Sequence, residues 1–192
     1  MRNDEGTMRH AIAVLTAVLM VLAAVPARAI VYVSTDFPTL VADARAIVVG
    51  RVVALESRWN DGRHGIETLV TVEVEQYLKG DLGTSVTVRT PGGQIGPYLS
   101  VMPGAPRFAE GDEVALFLAG NGPALPHVLG LGQGVFRIVV DGAGRRVVVP
   151  DMLSASSQVP TPVVRGDLMR RPAPLDRFAA EVKTLVAQRL TR

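Results

Sequence analysis

The sequence predicts a mainly β fold: a small antiparallel barrel or, alternatively, a β-sandwich, with a short N-terminal helix and a C-terminal amphipathic helix. Three observations carry that reading. Apolar and polar residues alternate with period two in Leu69–Glu75 and again in Ser85–Arg89, the pattern of strands with one buried face. Six or seven short apolar runs succeed one another, separated by breaks rich in Gly, Pro and Asp, a spacing that suits a barrel or sandwich rather than alternating strands and helices. Helical periodicity appears only in two stretches near the ends of the chain.

Residues 1–29 are set aside from the fold. Met8-Arg9-His10 precedes the apolar run Ala11 to Val25 and then Ala27-Arg28-Ala29, which together read as a secretory signal peptide cleaved before Ile30. The run falls short of the ~18–20 residues that span a bilayer; a retained signal anchor is the alternative. The expected localisation is therefore export, to the periplasm or the extracellular medium, with no stable membrane anchor after cleavage. The chain has no Cys, which removes disulfides, thiolate ligands, a cysteine nucleophile and a lipidated-cysteine anchor. What remains after cleavage suits one domain able to bury a core without covalent staples. The formal charge is +2, and loss of Arg2, Arg9, Arg28, Asp4 and Glu5 brings it to about +1. With aromatics at only 5%, neither a nucleic-acid interface nor a carbohydrate-stacking surface is expected.

The first element is a short helix opened by Thr35 or Asp36 as N-cap, with Pro38 in its first turn and Leu40, Val41 and Ala44 turned to the core. Ala46 to Glu56 is a nearly continuous apolar strand, as expected where both faces are covered, and Gly50 inside it marks a bulge or bend. Arg58 to Gly65 is a polar turn. The strand Ile66 to Tyr77 then pairs with Ser85–Arg89 as a hairpin across Lys79–Gly83, setting Glu73 and Glu75 against Arg89 and Thr87. Pro91 to Arg107 holds Pro-Gly-Gly, Gly-Pro and Pro-Gly-Ala-Pro and reads as a long loop without regular structure. Val114–Ala119, Val128–Leu131, Val135–Val140 and Arg146–Val149 are the remaining strands, the last two joined by a turn at Asp141–Gly144. Residues 30–149 thus form the β domain, 150–174 a Pro- and Ser-rich linker or strap, and 175–192 the C-terminal helix. In that helix Leu175, Phe178, Ala179, Val182, Leu185 and Val186 recur at helical spacing, a stripe expected to dock on the barrel, with binding of a partner as the alternative.

Residue chemistry points to no catalytic constellation. His64 falls in a turn and His127 at a strand start, without a ligand-spaced partner. No Gly-x-Ser-x-Gly is present, and Ser100, Ser154, Ser156 and Ser157 fall in loops. Gly130-Leu131-Gly132-Gln133-Gly134 lies between strands and reads as a bend or bulge rather than a phosphate loop. Glu73 and Glu75 share a strand face and could hold a hard cation if further oxygens joined them. Glu110, Asp112 and Glu113 straddle a turn and are expected to be solvated. No cofactor is expected.

Ala46–Val52, Thr71–Gly80, Val86–Gly93 and Phe108–Leu118, taken in that order, resemble a group of uncharacterised secreted bacterial proteins. Their pattern is similar to the netrin and tissue-inhibitor-of-metalloproteinases module. The resemblance covers about Ala46 to Ile138 and implies an OB-like, partly open barrel. In the metalloproteinase inhibitors an N-terminal cysteine chelates the target zinc; here the processed chain would begin Ile30-Val31-Tyr32 without any Cys. The resemblance therefore implies a protein partner at the loop rim but does not supply the residues of zinc-protease inhibition.

The leading functional expectation is a secreted, non-enzymatic binding or protease-regulating module whose partner is another secreted protein. The alternative is a hydrolase or enzyme-accessory domain built on dispersed acids. The sequence carries no signal for oligomeric state. The expected binding surface is the Pro91–Arg107 loop, since loops of that length in compact domains are usually functional or disordered. Ile95, Tyr98, Leu99 and Met102 are its apolar anchor, unless these four side chains fold back to cap an open end of the barrel.

Overall fold

A computed structural model describes residues 35–60, 62, 64–120, 124–151 and 171–190. The signal segment 1–29 and residues 152–170 of the expected strap lie outside the described residues. Helix α1, Phe37–Asp43, starts where Asp36, in extended conformation, accepts a hydrogen bond from the Thr39 amide at 2.7 Å, with Pro38 in the first turn. Its last carbonyls are met from outside the helix: Lys79 Nζ donates to Val41 and Ala42 at 2.7 and 2.8 Å. A cation among the orphaned carbonyls of a helix C-terminus is favourable. Burial holds the Lys79 ammonium below its usual pKa, and Arg189 adds to that effect.

Strands β1, Ala46–Trp59, and β2, Ile66–Lys79, pair antiparallel along nearly their full length. The register slips at Gly50, where an added Cβ would lie 2.2 Å from the Glu73 carbonyl, so only glycine lets the bulged strands close. The turn is tighter than the expected Arg58–Gly65 segment. Arg58 and Trp59 remain in β1 opposite Glu67 and Ile66, and Asn60 closes the turn through both its amide and its side chain with Gly65.

Strand β3, Ser85–Pro91, pairs antiparallel with β2, but not in the expected register. Glu73 faces Ser85, Thr71 faces Thr87 and Leu69 faces Arg89, while Glu75 lies beyond the end of the pairing. The inward pairs Val70–Val88 and Val72–Val86 set this register, because a slip would misalign side chains that have no exposure to lose. The segment read as an irregular loop contains a small separate sheet, β4, Gly93–Ile95, against β5, Tyr98–Ser100. Pro and Gly punctuation there shapes the turns and leaves the intervening residues able to pair.

Strand β6, Glu113–Ala119, pairs with β1; next come β7, His127–Val128, and a 3₁₀ turn, Leu131–Gly134. The expected strand Val128–Leu131 is thus shorter, and the glycine-rich bend is one helical turn. Strands β8, Val135–Val140, β9, Arg146–Pro150, and β10, Ala173–Pro174, extend the sheet, so the C-terminal end of the expected strap is itself paired, Ala173 with Val148. Helix α2, Leu175–Leu190, follows at once. The order β1-β2-β3-β7-β6 returns to β1, a partly closed, OB-like barrel whose seam is one parallel pair, Arg89 with His127.

Two cores result. Inside the barrel Val48, Val52, Val70, Val72, Val88 and Leu116 make an aliphatic cluster. Outside it, α1 and α2 cover a second cluster in which the Phe37 ring meets Phe117, Phe136 and Phe178 at 5.7, 6.0 and 5.6 Å, all near edge-on. Strand β1 serves both: Ala46, Val48 and Val52 belong to the inner cluster, Ile47 and Val49 to the outer.

Candidate binding groove

The hairpin is fastened to the barrel by a hydroxyl–glycine contact. Ser57 Oγ on β1 and Thr68 Oγ1 on β2 lie 3.2 Å apart, Thr68 donates to the Gly92 carbonyl at 2.8 Å, and the Gly92 amide donates to Ile66 at 2.8 Å. Gly93 has φ +143, and a Cβ there would sit 2.5 Å from Thr68 Oγ1 and 2.6 Å from Ser57 Oγ. A side chain at this position would push the hairpin off both strands.

In β4 and β5, Ile95 pairs with Tyr98, Gln94 with Leu99 and Gly93 with Ser100. Alternation therefore puts Ile95 and Tyr98 on one face of the hairpin and Leu99 on the other. Tyr98 stands edge-on to Trp59 with centroids 5.5 Å apart. Leu99 and Met102 line a groove of about 570 Å³, together with Leu55, Thr90, Val101 and Phe108. The four anticipated anchors are thus divided between two faces. Tyr98, Leu99 and Met102 are 60%, 68% and 47% exposed and do not close the barrel end, whereas Ile95 is half-buried. Val101, 58% exposed, and Trp59 belong to the same surface. The single Trp within two residues of a turn was the available signal for the latter.

Arg107 and Phe108 of the opposite wall are held from behind by Arg137. Its guanidinium donates to Asp151 at 2.7 Å, to Asp112 and to the Arg107 carbonyl, and lies over the Phe108 ring, 5.1 Å from its centre. Asp112 also accepts from the Ala109 amide at 2.8 Å. Asp112 is therefore tied down rather than solvated, and so is Glu113, which pairs with Arg51 and Arg146. Glu110 is exposed, as anticipated.

The other acids are engaged as well. Glu75 accepts two hydrogen bonds from Arg146, at 2.7 and 2.6 Å, which hold its carboxyl below the usual carboxylate range. Glu67, only 9% exposed, accepts from Arg58 at 2.9 Å with Arg89 at 3.7 Å. Glu73 remains on the exposed face beside Glu75, and Glu113, which lines the same small pocket, is paired with Arg51 and Arg146. Among the described residues no three His, Asp or Glu side chains gather into a metal-binding group. His64 and His127 are both exposed. What the groove offers a ligand is apolar contact, strand backbone and one charged lining residue, Arg107. No family model, curated protein or solved structure matches the chain.

Proposed function

We propose that this chain is an exported, non-catalytic binding module that docks another secreted protein on the β4–β5 hairpin and the groove beside it. One observation carries the reading: Leu99, Val101 and Met102 lie open along the groove, and Tyr98 stands exposed on the other face of the same hairpin, which is hydrogen-bonded to the barrel through Gly92. Contiguous exposed apolar side chains mark interaction surfaces, and Tyr and Met are enriched where proteins meet. A fixed hairpin also loses little conformational entropy on docking. The leader-like pattern of residues 1–29 supports export, and the resemblance to netrin-type barrels supports binding through loops at the barrel rim. A protease-regulating role would have to rest on this apolar surface, since the chain has no cysteine to offer a metal.

The test is the double substitution Tyr98→Ser with Leu99→Ser. The partner captured by the wild-type chain from its own exported fraction should be lost, while thermal stability stays within about 0.5 kcal/mol, as for exposed side chains. A drop of a few kcal/mol, on the scale of ~1.5–3 kcal/mol for each large apolar side chain uncovered, would make the hairpin part of the core and overturn the proposal.

A further inference from the structure

We infer that the groove takes an extended peptide segment bearing a carboxylate, with Arg107 as the cation that reads it; this rests on the docking function proposed above and names its ligand chemistry. Three features converge. In the two-stranded sheet β5 has a neighbour on one side only, and an unpaired strand edge is a template for an added strand. The chain beyond β5, through Val101 and Met102, supplies apolar lining, which suits the alternate side chains of an extended segment. Arg107 is the one charged residue in that lining, it is exposed, and no ion pair engages it among the described residues.

The charge balance around the groove favours an anion. Arg137 between Asp112 and Asp151 leaves one negative charge, and Arg58 and Arg89 about Glu67 leave one positive, so these two clusters cancel. The charge in the lining itself is the guanidinium of Arg107, whose backbone carbonyl is held by Arg137. A guanidinium fixed at its base beside an apolar wall can meet a carboxylate through two parallel hydrogen bonds. Lining by Leu99 and Met102 then selects what flanks that carboxylate.

Trp59 is the sole tryptophan of the chain and touches Tyr98, so its emission reports events at the hairpin. The full chain is titrated with two short acetylated peptides of alternating Val and Thr, one ending in a free carboxylate and the other in a carboxamide, and separately with laurate. The carboxylate peptide should bind about five-fold more tightly than the carboxamide at low salt, an exposed ion pair's share of affinity. The preference should shrink as salt is added, vanish in Arg107→Gln and return in part in Arg107→Lys. Equal binding of both peptides, still abolished by the paired Tyr98 and Leu99 substitutions, would overturn the carboxylate preference and leave docking standing. Laurate binding more tightly than either peptide, with the same dependence on Arg107, would assign the anion to a lipid and overturn the peptide. If neither peptide binds, the inference fails, and capture of the exported partner decides the docking function separately.

Discussion

At the two ends of β1 the barrel carries apolar surfaces of similar character and opposite fate. Near Ile47 and Val49 the rings of Phe37, Phe117, Phe136 and Phe178 are at most 1% exposed beneath α1 and α2. Past Leu55, where β1 ends at Trp59, the side chains of Tyr98, Leu99, Val101 and Met102 lie open. The first surface has two amphipathic helices to cover it; among the described residues nothing covers the second. Leu99, Val101 and Met102 are apolar like the side chains beneath the helices, so their exposure reflects the absence of a cover among the described residues rather than polar composition. That is the physical ground for reading them as a surface kept for something else.

The contrast can be broken most forcefully from inside the barrel. Val72→Asp puts a carboxylate where the side chain has no exposure, and loss of about 4 kcal/mol or more in urea unfolding is expected, against less than about 0.5 kcal/mol for the exposed Glu73→Gln. Equal losses would mean that the inner and outer faces of β2 are interchanged. On the covered face, Phe178→Ala should cost about 3–5 kcal/mol, because the ring contacts three others and its cavity has little room to collapse. A Phe178→Ala loss no larger than that of the Tyr98 and Leu99 pair would erase the distinction between the two surfaces. Gly93→Ala is expected to cost about 1–3 kcal/mol through strain at its positive φ and collision with Thr68 and Ser57. It should also shift Trp59 emission as the hairpin lifts.

The smallest effect belongs to neither surface. Because Arg146 lowers the Glu75 carboxyl pKa, the pair stabilises the fold above the unfolded carboxylate value and ceases to do so as pH falls through the lower folded one. The Glu75 side chain is 50% exposed, so Glu75→Gln should cost no more than about 0.5 kcal/mol at neutral pH. That difference should fade in high salt and below the ordinary carboxylate pKa; a gap that grows on acidification would reverse the sign argued here.

Features set by near neighbours were legible in the sequence. The Asp36 cap, the Gly50 bulge, the doubly covered stretch of β1 and the apolar stripe of α2 all follow from local spacing. Contacts across the chain were not. Glu75 and Arg146 are 71 positions apart, and Asp151 and Asp112 lie 14 and 25 positions from Arg137, so each acid taken singly reads as solvated. Charge complementarity on the outer face suggests one β2–β3 register, and the paired valines within impose another. Of the residues proposed to bind, Tyr98, Leu99 and Met102 stand out in the sequence by apolarity inside a polar, punctuated stretch. Trp59 lies beside a polar turn that hides its place at the end of β1, and a ring just after a helix cap, as at Phe37, gives no sign of its depth.

Phe37 also ties together the beginning and the end of the described chain. Its ring rests 5.6 Å from that of Phe178, so the outer core can be finished only after α2 has been synthesised. A chain that emerges N-terminus first, from the ribosome or across a membrane, presents the barrel strands β1, β2, β3, β6 and β7 before that helix. Until it arrives, Phe117 and Phe136 have α1 alone to shelter them. Assembly of this protein is therefore timed by its last helix, and a folding helper, or a partial collapse of α1 over the sheet, has that interval to cover.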